Sequence, residues 1–244
     1  MKIRKSLQGF TLIELLVVIS IIAILAGIAV PASMGVIDRG KQTKDLSNAK
    51  QVFLGLTQFA MDHDGSFPSQ PQQDSANASS TGGGNSTLST ANDAYANLVP
   101  KYVPTENVFW IAGSKWCNSV APDENTSAGN ALSAGENGYA YVTGLGTSSN
   151  PNFPVIADGF SQNPGVYTND QNKPGGVWKG KVAIVVRVSG AAQPETLSTD
   201  YKVLGNIGSA NKTDIFSKGT GDQNNPWLDI GGSNKLLNPQ TPVK

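Results

Sequence analysis

A continuous apolar segment near the N-terminus constrains this chain more than any other feature. From Phe10 to Val30 the only polar side chains are those of Thr11, Glu14 and Ser20. A helix rises about 1.5 Å per residue, so a helix over this segment reaches across the hydrocarbon layer of a membrane, which is about 30 Å thick. We therefore predict a membrane-spanning helix at the start of the chain.

Basic side chains precede this segment and set its predicted orientation. Lys2, Arg4 and Lys5 lie on its N-terminal side. Because positive residues are retained on the cytoplasmic side, the N-terminus is expected in the cytoplasm and the residues after Val30 in the periplasm or outside the cell. An ordinary secretory signal has a shorter apolar region followed by a small-x-small cleavage site, and it does not need a carboxylate such as that of Glu14.

Glu14 is the ionisable residue of the apolar segment. A carboxylate there costs roughly 2.5–3.5 kcal/mol on membrane-insertion scales, so the residue is a functional candidate that needs a partner. The alternative is that Glu14 lies close enough to the cytoplasmic interface for its carboxylate to reach water. A role in assembly follows only from the first interpretation.

The residues around Glu14 form a specific motif. The sequence GFTLIE, from Gly9 to Glu14, follows a short basic leader and begins the long apolar segment. It resembles the prepilin processing signal of type IV pilins and type II secretion pseudopilins. The resemblance implies that a prepilin peptidase removes residues 1–9 by cutting between Gly9 and Phe10, and that it then methylates the new N-terminus at Phe10.

The resemblance also implies a location and a set of partners. The chain would cross the inner membrane once, with a periplasmic body, and would then enter a periplasmic or surface filament. An ammonium created at Phe10 is a cation in an apolar setting, and Glu14 of a neighbouring subunit can neutralise it. The implied partners are the prepilin peptidase, identical and minor pilin-like subunits, the inner-membrane assembly platform, and lipid before assembly.

Two residues near the end of the apolar segment predict a change in helix geometry. Pro31 lacks an N–H and so removes the helical hydrogen bond to the carbonyl of Gly27. A kink or local unwinding is therefore predicted at Gly27–Pro31, without requiring that the helix end there.

Beyond this point the sequence predicts an amphipathic second half of the helix, from about Gly40 to His63. Apolar residues recur at spacings of three and four, which is typical of one helix face: Leu46, Ala49, Phe53, Leu56 and Ala60, flanked by Val52 and Phe59. Gly65 is expected to supply a left-handed cap, and Pro68 prevents the helix from resuming. The segment DGSFP resembles the one that follows the long helix in pseudopilins.

The rest of the chain is expected to be rich in strands and loops. Residues 69–93 are dominated by Ser, Asn, Gln, Gly and Thr and predict a mobile loop. Residues 94–104, AYANLVPKYVP, resemble a pseudopilin segment that would pack near the helix end, with a short helix or turn over Tyr95–Tyr102. Strand candidates follow at Val108–Ile111, Gly138–Thr143, Pro154–Ala157, Val182–Val188 and Tyr201–Leu204.

These elements predict an α+β fold, in which one long N-terminal helix packs on an antiparallel sheet with long loops, as in pilins. We divide the chain into a leader (1–9), a membrane and assembly helix (10–36), an amphipathic helical half (37–65), a flexible polar loop (66–94) and a periplasmic β-rich head (95–244). Within the head, WC at 116–117, GYAY at 138–141 and IADG at 156–159 resemble segments of large pseudopilin-like proteins, although Asn118 stands where those have proline.

Composition argues against several classes of function. The 18 basic and 18 acidic side chains cancel, so no nucleic-acid partner is expected. His63 is the single histidine and Cys117 the single cysteine, which argues against a multi-imidazole metal site and leaves a catalytic thiol without a suitable base. No catalytic residue and no metal ligand is therefore predicted, and Cys117 is expected to be a buried thiol.

Calcium in a C-terminal loop is the one cofactor considered. Major pseudopilins of type II secretion are known for such a site, and this stretch offers oxygen ligands, although their spacing matches no calcium-loop pattern: Asp214, Asp222, Asn224, Asn225 and Asp229.

Two functions follow from these observations. The first is a structural filament subunit, with the single cysteine and the DGSFP segment favouring a type II secretion pseudopilin over an adhesion, motility or DNA-uptake pilin. The second is a membrane-tethered periplasmic enzyme or ligand-binding protein with an uncleaved single-pass anchor. Cleavage after Gly9 distinguishes the two.

Overall fold

A single long helix, α1, runs from Leu12 to Met61. The computed structural model describes residues 10–70, 88–127, 130–205, 212–218 and 228–242, and within α1 it gives the backbone but not the side chains of residues 29–34. The chain divides into two compact units, Met1–Lys41 and Gln42–Lys244, which we describe separately. The predicted leader 1–9 and most of the predicted polar loop, residues 71–87, lie outside the described residues.

In the second unit, one face of α1 is buried. The buried residues follow one another at intervals of four, three, four and four: Asp45, Ala49, Val52, Leu56 and Ala60. Leu46 and Phe53, which were predicted to belong to the buried face, are only partly buried and lie at its edge. The prediction named Ala49, Val52, Leu56 and Ala60 correctly, whereas Asp45 was missed because it is a polar residue on an otherwise apolar face.

The end of α1 has the predicted cap. The Gly65 amide donates to the Ala60 carbonyl at 2.8 Å, and Gly65 has a φ of +78°, in the left-handed region that glycine adopts without strain. Within the helix, Gly55 permits a close approach, since a Cβ there would lie 2.5 Å from the Val103 methyl group. The segment 94–104 packs at this end of α1 as expected, and both Lys101 and the Tyr102 hydroxyl donate to the Asp62 carboxylate.

A short helix begins earlier than the sequence predicted. Helix α2 covers Ala91–Tyr95 and continues as a 3-10 turn over Ala96–Leu98. The side chain of Thr90 accepts from the Asp93 amide while the Asp93 carboxylate accepts from the Thr90 amide, which is a capping box. The last residues assigned to the polar loop are therefore helical, because this cap was not recognised in the sequence.

In the described part of the chain, seven strands follow the two helices. They are β1 (Tyr139–Val142), β2 (Pro154–Asp158), β3 (Val182–Arg187), β4 (Ala192–Thr196), β5 (Leu204–Gly205), β6 (Thr213–Asp214) and β7 (Leu236–Leu237). Five of them form one antiparallel sheet in the order β4-β3-β2-β1-β7, and β5 and β6 pair as a separate ribbon. Four successive residues of β3 are buried, as expected for a strand covered on both faces.

The strand predictions were right for the sheet centre and wrong elsewhere. The predicted strand at Val108–Ile111 does not form, because Glu106–Val108 is a 3-10 turn capped by the Thr105 side chain. Of the predicted strand at Tyr201–Leu204, only Leu204 is in a strand, as the first residue of β5. Strand β4 was missed because its residues are polar and include Pro194, which an edge strand tolerates.

One hydrophobic core joins these elements of the second unit. It contains the buried face of α1, α2 and the central strands, and its first member along the chain is Ala49. The fold is therefore α+β and pilin-like, with a long N-terminal helix and an antiparallel five-stranded sheet.

We expect residues 37–244 to fold without the preceding segment, since every member of the core lies at or after Ala49. Size-exclusion chromatography and near-UV circular dichroism of this fragment should show a soluble monomer with ordered aromatic side chains. Aggregation of the fragment under conditions that keep the full chain dispersed would mean that residues 10–36 are needed by the core.

Candidate functional site

The first half of α1 presents an apolar surface that no other part of the first unit covers among the described residues. Every large apolar side chain from Phe10 to Ile28 is at least 46% exposed. An uninterrupted apolar surface of this kind indicates contact with lipid or with other protein chains, because water is an unfavourable environment for it. The candidate functional site is this surface together with the polar residues at its N-terminal end.

The N-terminus of α1 is closed by a capping box. The Glu14 carboxylate oxygen Oε2 accepts from the Thr11 amide at 2.9 Å and from the Thr11 hydroxyl at 2.6 Å. The Glu14 amide donates in return to the Thr11 hydroxyl at 3.3 Å. This reciprocal pattern satisfies two otherwise unpaired groups, and the positive end of the helix dipole favours the carboxylate at this position.

The third polar residue of the segment is also satisfied within the helix. The Ser20 hydroxyl donates to the Leu16 carbonyl at 2.6 Å. Thr11, Glu14 and Ser20 therefore each have a hydrogen bond inside their own helix. Such local pairing is what a segment needs when its surroundings offer no water.

The predicted site residues are only partly described. Gly9 lies outside the described residues, and Phe10 precedes α1 with a side chain that is 79% exposed. The pairing of Glu14 with Phe10 of a neighbouring subunit stays a prediction, since within the chain Glu14 binds Thr11 instead. The helix is continuous across Gly27–Pro31, where the kink also stays a prediction; the Pro31 side chain is outside the described set.

Comparison with known families identifies the N-terminal segment. Residues 4–30 match the prokaryotic N-terminal methylation motif. The match supports a type IV pilin-like protein that is processed as a prepilin, and it confirms the resemblance drawn from Gly9 to Glu14. No curated protein and no solved structure was found to match the chain.

Among the described residues, no helix combines the length and the apolar character that crossing a membrane requires. The predicted membrane segment Phe10–Val30 stays a prediction, and the side chains of its last two residues are among those not described.

A second polar site, missed in the sequence, fixes the buried face of α1 to the sheet. The Tyr139 hydroxyl donates to the Asp45 carboxyl, and the Asp158 carboxyl lies close enough to Asp45 for its charge to act on it. One buried oxygen of each carboxyl, Asp45 Oδ2 and Asp158 Oδ1, has no hydrogen-bond partner in the described part of the chain. Asp158 also accepts from the Trp178 indole and the Ile184 amide, both at 2.7 Å. Two carboxyl groups can share a hydrogen bond only if one carries a proton.

Burial explains where this proton is held. Loss of solvation raises the pKa of Asp45, and the nearby charge of Asp158 raises it further. Burial also raises the pKa of Asp158, while its hydrogen bonds oppose that rise. These directions favour a protonated Asp45 that donates to Asp158. The signal was available in the sequence, since Asp45 lies four residues before Ala49 on the same helix face.

The segments 116–117, 138–141 and 156–159, which resemble those of large pseudopilin-like proteins, lie close to Asp45 and Asp158. Strands β1 and β2 place Tyr139 opposite Asp158, and Asp158 precedes Gly159. A Cβ at Gly159 would lie 2.4 Å from the Trp116 ring, whose indole donates to the Phe160 carbonyl at 2.7 Å. These residues pack the core, and nothing in their geometry opens a site to solvent.

The remaining candidates have structural roles. His63 stacks on Phe59 at 3.8 Å between ring centroids, and its Nδ1 lies 2.7 Å from the Phe59 carbonyl. Cys117 is buried, as expected, and burial raises the pKa of its thiol to about 12, which disfavours the thiolate. Asp214 and Asp229 pair with Lys202 and Lys218 at 3.3 and 3.6 Å, while residues 222, 224 and 225 lie outside the described residues.

The Asp45 pair gives a prediction that distinguishes hydrogen bonding from charge. Asp45→Asn can still accept from Tyr139 and donate to Asp158, whereas Asp45→Leu removes the side-chain acceptor of Tyr139 and leaves Asp158 Oδ1 buried without a donor. We expect the leucine variant to lower the free energy of unfolding by about 2–4 kcal/mol and the asparagine variant to be neutral or stabilising near pH 7. Urea unfolding of the full chain in detergent, followed by tryptophan fluorescence, measures both values.

The same variants test the pH dependence. The folded-state pKa values of both carboxyls lie above the ordinary value near 4, so the folded chain binds more protons than the unfolded chain as the pH rises above about 4. The free energy of unfolding should therefore fall with rising pH, by up to about 1.4 kcal/mol per pH unit for each proton. Asp45→Asn should flatten this slope; an unchanged slope would contradict the shared proton.

Proposed function

We propose that this chain is a structural subunit of a type IV pilus-like filament, and specifically a type II secretion pseudopilin. The observation that carries the proposal is the methylation motif at residues 4–30, which begins before a helix whose first half exposes its large apolar side chains. Processing would expose a charged N-terminus at Phe10, and polymerisation would cover the apolar surface. In this role the chain lies in the inner membrane before assembly and has no catalytic task.

The capping box suggests how Glu14 serves both stages. Before assembly, Thr11 supplies two donors to Oε2, which lowers the cost of a carboxylate in lipid. The other oxygen, Oε1, has no partner among the residues the structure describes. It is therefore available to accept from the Phe10 ammonium of the next subunit without breaking the cap.

Two features favour a pseudopilin within the filament class. The DGSFP segment is anchored in the head: Phe67 is buried, its amide donates to the Leu145 carbonyl, and the Tyr141 hydroxyl donates to the Pro68 carbonyl at 2.9 Å. The single cysteine, Cys117, cannot form the C-terminal disulfide loop that many pilins have.

The first test concerns processing. Mass spectrometry of protein purified from membranes should show a mature chain that begins with N-methylated Phe10. Gly9→Val should leave the leader attached, because the peptidase requires a small residue there, whereas Ser6→Ala, also within the leader, should be processed normally. A mature chain that keeps residues 1–9, or one cut near residues 26–32, would contradict the proposal.

The second test concerns assembly. Glu14→Leu should insert into the membrane at least as well as the parent chain, because the insertion cost of the carboxylate disappears. Filament yield should nevertheless collapse, since each Phe10 ammonium would enter the filament core unpaired, at a cost of roughly 3–5 kcal/mol per interface. Ser20→Ala is the matched control in the same helix and should assemble. Normal filament yield from Glu14→Leu at an equal membrane level would eliminate the charge-pairing mechanism.

A further inference from the structure

Three carboxylates converge in the loops that precede β1. Glu106 lies at the start of a 3-10 turn, Asp123 in the following loop, and Glu136 three residues before β1. One carboxylate oxygen from each lies within 4.8 Å of those of the other two. The three residues are far apart in the sequence, so it is the folding of the loops that brings them together.

Glu106 is the residue that makes this cluster more than a set of surface charges. Its side chain is fully buried, at 0% exposure. One oxygen, Oε1, accepts from the Leu132 amide at 2.8 Å, but Oε2 is buried and has no hydrogen-bond partner in the described part of the chain. A buried carboxylate oxygen without a donor is unfavourable unless a proton or a cation compensates it.

The surroundings of Glu106 increase the need for a cation. The carboxylates of Glu136 and Asp123 lie beside that of Glu106, and the Glu124 carboxylate accepts from the Glu106 amide at 3.0 Å, so four acidic side chains meet here. None of the ion pairs found in the described ranges joins these carboxylates to a lysine or an arginine. The cluster thus concentrates negative charge around a buried oxygen.

Backbone amides of the surrounding loops donate hydrogen bonds that position these carboxylates. Glu136 accepts from the Ser133 amide at 2.6 Å and from the Asp123 amide at 3.3 Å. Glu124 accepts from the Glu106 amide at 3.0 Å, which fixes the backbone from which Glu106 projects. Asp123 is exposed, so an ion can reach the cluster from solvent.

We propose that Glu106, Asp123 and Glu136 bind a calcium ion. The donors are all carboxylate oxygens, which suit hard cations, and no imidazole or thiolate belongs to the cluster. Calcium accepts irregular oxygen cages with bonds of about 2.3–2.6 Å, so oxygens up to 4.8 Å apart can lie on opposite sides of one ion. Magnesium requires near-ideal octahedral geometry, which loops of this kind do not supply.

This site is separate from the C-terminal loop considered above, and it does not depend on the filament role. A bound ion would cross-link the three loop segments that carry Glu106, Asp123 and Glu136, just before β1. Leu132, whose amide binds Glu106, also binds the Asn92 side chain through its carbonyl, so the effect would extend to α2.

The test uses the full chain in detergent, stripped with EGTA and titrated with calcium by calorimetry and thermal unfolding. We expect one calcium ion per chain, a dissociation constant of about 10⁻⁴–10⁻³ M or tighter, and a rise in Tm that magnesium at the same concentration does not reproduce. Asp123→Asn, at an exposed position, should weaken binding roughly tenfold or more. Asp200→Asn, an exposed carboxylate of the β4–β5 connection, is the control and should bind as the parent does.

Glu106→Gln gives a second readout, because its effect on Tm should have opposite signs without and with calcium. In EGTA it should raise Tm, because it removes a charge that is buried beside other carboxylates; in saturating calcium its Tm should fall below that of the parent. Absence of calcium binding, or binding that survives Asp123→Asn but is lost in Asp229→Asn, would overturn the proposal. A Glu106→Gln variant that is less stable than the parent in EGTA and unchanged in its calcium affinity would also overturn it.

Discussion

A carboxylate removed from water needs a proton, a set of donors or a cation, and this constraint governs three regions of the chain. At the start of α1, Glu14 takes donors from Thr11 and, in the proposed filament, a cation from its neighbour. On the buried face of α1, burial and the neighbouring charge of Asp158 raise the pKa of Asp45 and so favour its protonated form, which can donate to Asp158. In the loops before β1, Glu106 has a donor for Oε1 but none for Oε2 among the described residues. The proposed calcium ion supplies the missing positive charge.

These arrangements suit the separate tasks of the two units. In the first unit the apolar side chains from Phe10 to Ile28 are exposed, which indicates a surface for contact with lipid or with other protein chains. In the second unit the same helix contributes Ala49, Val52 and Leu56 to a core that it shares with the sheet. In the proposed filament, polymerisation through the first unit can therefore proceed while the second keeps its fold.

The sequence was most informative where a pattern has one physical explanation. The motif from Gly9 to Glu14 and the left-handed cap at Gly65 were read correctly, and so was β3, whose apolar run exceeds that of any other strand. Periodicity failed where polar residues replace apolar ones: Asp45 in the buried face of α1, and the exposed edge strand β4. Glu106 and Asp123 could not have been paired from sequence, because loop folding alone brings them together.

The central claim is that Glu14 and the N-terminus of a neighbouring subunit form a charge pair inside a filament. Cryo-electron microscopy of assembled filaments tests it most directly, by locating both groups. The account predicts the methylated Phe10 nitrogen of one subunit within about 4 Å of the Glu14 carboxylate of the next, with the apolar half of α1 at the filament centre. Filaments in which Glu14 contacts only its own Thr11, or in which this half of α1 lies at the outer surface, would contradict it.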